Sequence, residues 1–262
     1  MSRLKTKFSE LKAQGKAAFI PFIMGGDPDA TQSLELLNAL PDAGADIIEI
    51  GMPFSDPMAD GPVIEAAGNR ALDAGMTLAG VLQLVTKFRE KNQHTPMVLM
   101  GYANPPYHMG WENFCAAAAK AGVDGLILVD IPPEEEGEIT PHLNQHGIDL
   151  IRLVTPTSDA KRREVILKSA SGFVYYVSVA GITGDKSAGH QALDAAISDL
   201  RKQTELPLAI GFGIKTPEQA KQAAQCADAV VVGSAIVKAL HEQGKTAALK
   251  LVKDLAGAVH SA

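Results

Sequence analysis

Cysteine is scarce in this chain of 262 residues: only Cys115 and Cys226 are present, so there is no disulfide framework. Each stands alone in an Ala-rich helical pattern, where a small core side chain fits better than a reactive thiol. Long apolar runs are missing as well. No stretch reaches the roughly 18 residues of a membrane span, which excludes a membrane protein. The opening MSRLKTKFSELKAQGK alternates charge with apolar residues and has neither an apolar h-region nor a cleavage site, so an amphipathic helix and a cytoplasmic protein are expected. Nor is there an excess of positive charge. Lys and Arg number 24 against 30 Asp and Glu, for a net charge of −6, and the basic residues are scattered. That pattern speaks against nucleic acid, and it means that an anionic small molecule would be held by local backbone dipoles. No GxGxxG follows the first apolar run, which argues against nicotinamide and flavin chemistry. GKT at Gly244 lacks the upstream glycine of a phosphate loop. His142 and His146 stand one turn apart without a third ligand nearby, so a solvated face is expected there rather than a metal.

What the sequence does contain is an ordinary globular balance, 46% hydrophobic and 21% charged, arranged as a repeat. Short apolar, β-branched runs begin at Ala17, Asp46, Met97, Gly125, Asp149, Phe173, Pro207 and Ala229, roughly 22 to 51 residues apart. Between them lie segments of helical period such as SLELLNAL, FCAAAAKAG and EQAKQAAQ. Near-continuous apolar strands alternating with helices require a parallel sheet covered on both faces. Eight such repeats without a linker predict an α/β fold, a single (β/α)8 barrel over residues 1–262 with an extra N-terminal helix. A doubly wound open sheet is the alternative. Two connections are long: the one containing MPFSDPMADGP after the second strand and the one containing SVAGITGDKSAGH after the sixth. In a barrel both fall at strand C-termini, the face where active sites are built.

Along DIIEI, a side-chain period of two puts Ile47, Glu49 and Gly51 on one face and Asp46, Ile48 and Ile50 on the other. Glu49 therefore points into the barrel mouth or is buried against helices. A carboxylate in an apolar strand is costly unless paired or protonated. Arg152 in DLIRLV is the obvious partner for a structural ion pair, and catalysis is the competing and preferred reading. In the following loop, Pro62 has the look of a first-turn proline, which makes Gly61 the cap and leaves Asp60 free of capping duty. Glu49 from a strand end and Asp60 from a loop could approach one substrate from different sides and divide acid and base roles. Asp56, between Ser55 and Pro57, is explained by a turn. GFGIKTP after the seventh strand and VVGSAIVKAL after the eighth, where Gly233 and Ser234 would open a helix, suit a phosphate held by free amides.

FIPFIMGGDP, DAGADIIEIGMPFSDPMADGPVI, VSVAGITG, GFGI and VVGSAIVK, in this order and spacing, resemble the tryptophan synthase alpha subunit family over essentially the whole chain. The resemblance implies a TIM barrel that cleaves indole-3-glycerol phosphate by a retro-aldol reaction to indole and glyceraldehyde 3-phosphate. It implies no cofactor and no metal in this chain, and a beta subunit partner in an alpha2beta2 complex that carries pyridoxal phosphate and receives the indole. By position it makes Glu49 and Asp60 the catalytic pair and Thr183 the residue that closes on Asp60. Phe22, Met100, Ile127, Tyr175 and Phe212 would surround the indole ring, and Gly184, Gly213, Gly233 and Ser234 would cradle the phosphate. Contact by the beta subunit is expected on the loop at Asp56 and Pro57. Met24-Gly25, Val179, Met100 and Ile127 depart from the commoner family pattern, and no catalytic position is lost. A free-standing lyase, a phosphosugar isomerase or epimerase, and a catalytically dead binding module are the rival readings.

Overall fold

The computed structural model describes residues 2–177, 186–211 and 213–262, with residues 186–190 as backbone alone. Among them nine strands run parallel: β1 Ala18–Met24, β2 Ile48–Gly51, β3 Met97–Gly101, β4 Gly125–Leu128, β5 Asp149–Leu150, β6 Arg152–Val154, β7 Val174–Val177, β8 Leu208–Gly211 and β9 Ala229–Val232. Their order is β5-β4-β3-β2-β1-β9-β8-β7-β6. The two outermost strands, β5 and β6, follow one another in the chain across Ile151, so covalent continuity closes the sheet into a barrel and the open-sheet alternative falls.

The expected strand DLIRLV is thus two pieces rather than one. Leu150 pairs with Leu126 of β4, whereas Arg152 pairs with Val174 of β7. Between them the Ile151 amide donates to the Leu126 carbonyl at 3.0 Å. The run changes partner where the barrel's stagger is taken up, and regular pairing is interrupted there.

Inside the barrel, Ala18, Ile20, Ile47, Val98, Ile127, Ile151, Phe173, Ala209 and Val231 form a closed apolar core. Its floor is the amphipathic helix Arg3–Ala13, whose Leu4, Phe8 and Leu11 face inward, with the Phe8 and Phe173 ring centroids 5.8 Å apart. Gly125 makes room for this floor. A Cβ there would lie 2.4 Å from Ile151 Cδ1 and 3.2 Å from Leu4 Cδ1. Outside the strands, a second apolar layer packs the helices against the sheet; Cys115 and Cys226 are buried in it, as small core side chains should be.

Charged side chains fasten the strand N-terminal side. Asp124 pairs with Arg89 at 2.7 Å and Arg3 at 2.9 Å and accepts the Met97 amide at 2.8 Å. Arg89 also donates to the carbonyls of Gly122 and Thr95. At the opposite end, Gly61 caps the helix Pro62–Asp73 with Pro62 at its first position, as its sequence predicts. Arg70 on this helix grips Asp27 in the loop after β1 through two contacts of 2.7 and 2.8 Å. The segment carrying Asp60 therefore ends on an anchored helix. No helix among the described residues is long and apolar enough to cross a membrane.

Candidate active site at the strand C-terminal ends

A cavity of about 840 Å³ opens at the C-terminal ends of the strands. Glu49 reaches it from β2, in register with Phe22 of β1 and Val98 of β3. Its side chain is buried, at 1% exposure, and its Oε2 has no hydrogen-bond partner. Burial pushes its carboxyl up to about 8, so it is mostly protonated at neutral pH. Arg152 is not its partner: that guanidinium pairs with Glu136 and donates to the Ile131 carbonyl at 3.0 Å. With the obvious cation engaged elsewhere, the strand retains an acid whose proton is available.

Asp60 stands in the same cavity, half-buried, one residue before the helix cap. Burial raises its carboxyl above the usual range and nearby Glu65 adds to this, while a hydrogen bond from Tyr102 opposes both. Tyr102 escapes a sequence reading that looks for carboxylates and glycines. Placed just past the end of β3 and 2% exposed, it accepts the Ala59 amide at 2.9 Å and donates to Asp60. Its ring lies 5.4 Å from Phe54, and burial lifts its phenol to about 12, so it remains a donor. The signal that could have revealed it is its position, since a polar group directly after a barrel strand faces the active side.

Phe22, Met100 and Tyr175 line the cavity, joined by Met24, Met52, Val129, Leu153 and Val177, none of which resembles a site residue in isolation. Tyr175 depends on glycine in β8: a Cβ on Gly211 would lie 2.1 Å from its hydroxyl oxygen. Ile127 is placed differently. It is fully buried in the interior core against which Met100 and Val129 pack, behind the wall rather than on it. Period two explains this, because Val129 shares its face one step closer to the strand end.

Gly213, Gly233 and Ser234 all line one region of the cavity. Gly213 adopts φ +76, a conformation that favours glycine, and Gly233 is the N-cap of the helix Ser234–Gln243. That helix start lines the cavity and has no side-chain cap. Asp56 is exposed, with its carboxylate held by the Ser55 hydroxyl at 2.6 Å; the turn itself falls just after it, at highly exposed Met58 and Ala59, beyond half-buried Pro57. Thr183, Gly184, Phe212 and Val179 lie outside the described residues. Among the described residues, no cluster of three His, Cys, Asp or Glu side chains is placed to hold a metal.

Fold and site together define a (β/α)8-barrel enzyme whose strand ends present two carboxyls in unlike surroundings beside an uncapped helix start. Comparison with known proteins makes this specific. The family model for the tryptophan synthase alpha chain matches residues 8–260, and the chain belongs to that family. The tryptophan synthase alpha chain of Caulobacter sp. (strain K31) is 53% identical, covering 99% of this chain and 97% of that protein. The one from Caulobacter vibrioides is 52% identical with the same coverage. Among solved structures, tryptophan synthase subunit alpha from Legionella pneumophila str. Paris superposes with a TM-score of 0.94 at 39% identity, covering all of both chains. The reaction of this family is a lyase step in tryptophan biosynthesis, the cleavage of indole-3-glycerol phosphate.

Proposed function

We propose that Glu49 and Asp60 share the proton transfers of indole-3-glycerol phosphate cleavage in one barrel domain spanning the chain. The observation that carries this reading is a buried, unpartnered Glu49 carboxyl in the same cavity as Asp60. Breaking the C3–C3′ bond needs a proton placed on indole C3, one taken from the ring nitrogen and one taken from the glycerol hydroxyl. Glu49, held near 8 by burial, is a proton donor at neutral pH and delivers its proton to C3. As it does so, Asp60 takes the ring N–H proton and stabilises the indolenine-like intermediate. The Glu49 carboxylate then removes the hydroxyl proton. The oxygen electron pair becomes the aldehyde carbonyl, the C3–C3′ bond breaks, and its electrons return to the ring, which recovers its N–H from Asp60. No cofactor of this chain enters the sequence.

Phe22, Met100, Tyr175 and Phe212 hold the flat heterocycle, with Ile127 supporting the wall from behind. The phosphate rests on backbone amides at Gly184, Gly213, Gly233 and Ser234. Thr183 closes onto Asp60 as a lid. A beta subunit docks on the Asp56–Pro57 loop in an alpha2beta2 assembly, where its pyridoxal phosphate consumes the indole; the complex works in the cytoplasm. Indole release from indole-3-glycerol phosphate, with and without saturating beta subunit, tests the assignment. Glu49→Gln and Asp60→Asn are each expected to lower turnover by about 10²- to 10⁴-fold while remaining folded. Addition of the partner is expected to raise the wild-type rate by about tenfold or more. Near-normal turnover in either variant, with substrate still bound, removes the two-carboxylate mechanism.

A further inference from the structure

Two lysines line the cavity, Lys215 and Lys238, and the mechanism above uses neither. Lys238 lies four residues after Ser234, on the same face of the helix Ser234–Gln243, and is 3.8 Å from Glu242, which also lines the cavity. Its charge is therefore partly offset. Lys215 differs. It is exposed, and its ammonium has no hydrogen-bond or ion-pair partner among the described residues. Its backbone, by contrast, is fixed. The Lys215 amide donates at 2.8 Å to Gln219 Oε1, the side chain that completes a capping box with Thr216 at the start of the helix Pro217–Ala224.

The charge balance around the opening shows what a free cation does there. Among the described lining residues other than Lys215, Glu49 is mostly neutral at pH 7, Asp60 in its ionised form and Glu242 are negative, and Lys238 is positive, which leaves one uncompensated negative charge. A phosphate dianion would meet that charge on a protein whose overall field is already negative. We infer that Lys215, presented from the segment that follows Gly213, is the cation that draws the substrate phosphate to the backbone cradle, with Lys238 in a secondary role. This rests on the reading that Gly213, Gly233 and Ser234 hold the phosphate. The amides fix where the phosphate sits, and the lysine offsets the repulsion on the way in.

The test compares kcat/KM for indole-3-glycerol phosphate in the full chain with saturating beta subunit, for wild type, Lys215→Gln, Lys215→Arg and Lys250→Gln. Lys250 pairs with Asp254 and is not among the residues lining the cavity, so its variant changes net charge equally without removing a lining side chain. Lys215→Gln is expected to lower kcat/KM about fivefold at low salt through a raised KM, with the deficit vanishing at about 0.5 M salt. Glyceraldehyde 3-phosphate should bind correspondingly more weakly and indole unchanged, with Lys215→Arg restoring the wild-type salt slope and Lys250→Gln behaving as wild type. Ser234→Asp separates the two layers of the argument. If it weakens glyceraldehyde 3-phosphate binding while Lys215→Gln matches wild type at low salt, the inference about Lys215 is overturned and the cradle stands. If Ser234→Asp leaves that binding unchanged, the cradle and the inference fall together.

Discussion

Two clefts of similar size sit at opposite ends of this barrel. One, of about 840 Å³, lies at the strand C-terminal ends; the other, of about 730 Å³, runs between the N-terminal helix and the strand N-terminal ends. Volume does not tell them apart, but the state of their polar groups does. In the second cleft, Asp149 accepts the Ser2 hydroxyl at 2.8 Å, and Asp228 pairs with Arg201 at 2.9 Å and accepts the Leu208 amide. Neighbouring Asp124 holds two arginines. In the first cleft, a buried carboxyl oxygen of Glu49 has no hydrogen-bond partner among the described residues. The aspartates at the floor are matched to partners, whereas the buried glutamate at the mouth is not. This division places the paired aspartates and the unpaired glutamate at opposite ends of one barrel.

The contrast can be broken first from the floor. Asp124→Ala strips buried Arg89 of its carboxylate and is expected to cost about 3–5 kcal/mol of folding stability, read by urea unfolding. The folded fraction should turn over at the wild-type rate, and a fall in turnover per folded molecule would show that the two faces are not separable.

At the mouth, the unmatched carboxyl makes the opposite prediction. Because Glu49 holds its proton more tightly folded than unfolded, its contribution is complete below about 4.5 and is lost as pH rises through about 8. Glu49→Gln abolishes that loss, so the variant should gain on wild type between pH 5 and 9 by on the order of 3 kcal/mol. Parallel stability curves over that range would show that Glu49 is not buried as a neutral acid. Tyr102→Phe is the mildest probe. It removes the donor to Asp60 and the acceptor for the Ala59 amide and should lower kcat about tenfold, with a stability loss of about 1 kcal/mol. An unchanged kcat would mean that Asp60 needs no such support.

Features of the site that depend on local periodicity or local capping are legible in the sequence. Period two in DIIEI sets the inward face of Glu49, and a proline after a glycine marks the helix start at Gly61 and Pro62. Gly233 and Ser234 do open a helix, and the amphipathic N-terminus does form one. Features that depend on closure of the barrel are not. Ile151 breaks its strand because the chain changes partner there, and only the assembled sheet shows which strands meet. Arg152 finds Glu136, at the start of a single 3-10 turn, rather than Glu49, in a strand, because β2 and β6 are not neighbours. Tyr102 reaches Asp60 because β3 lies beside β2, a relation that a run of residues cannot express. Ile127 matches a family position by spacing, yet it sits behind the cavity wall.

The barrel's circular pairing also bears on how the chain is made. β1 lies between β2 and β9, with Ala18 in register with Ala229. On the ribosome, the first strand meets β2 early, but its other edge stays bare until nearly the whole chain has been synthesised. Leu4, Phe8 and Leu11 likewise have no finished hole to fill until then. A product truncated before β9 is not a smaller barrel. It is an open sheet with two bare apolar edges, the kind of species that pairs with its own copies. The last strand to be translated is therefore the one that makes the first safe from aggregation.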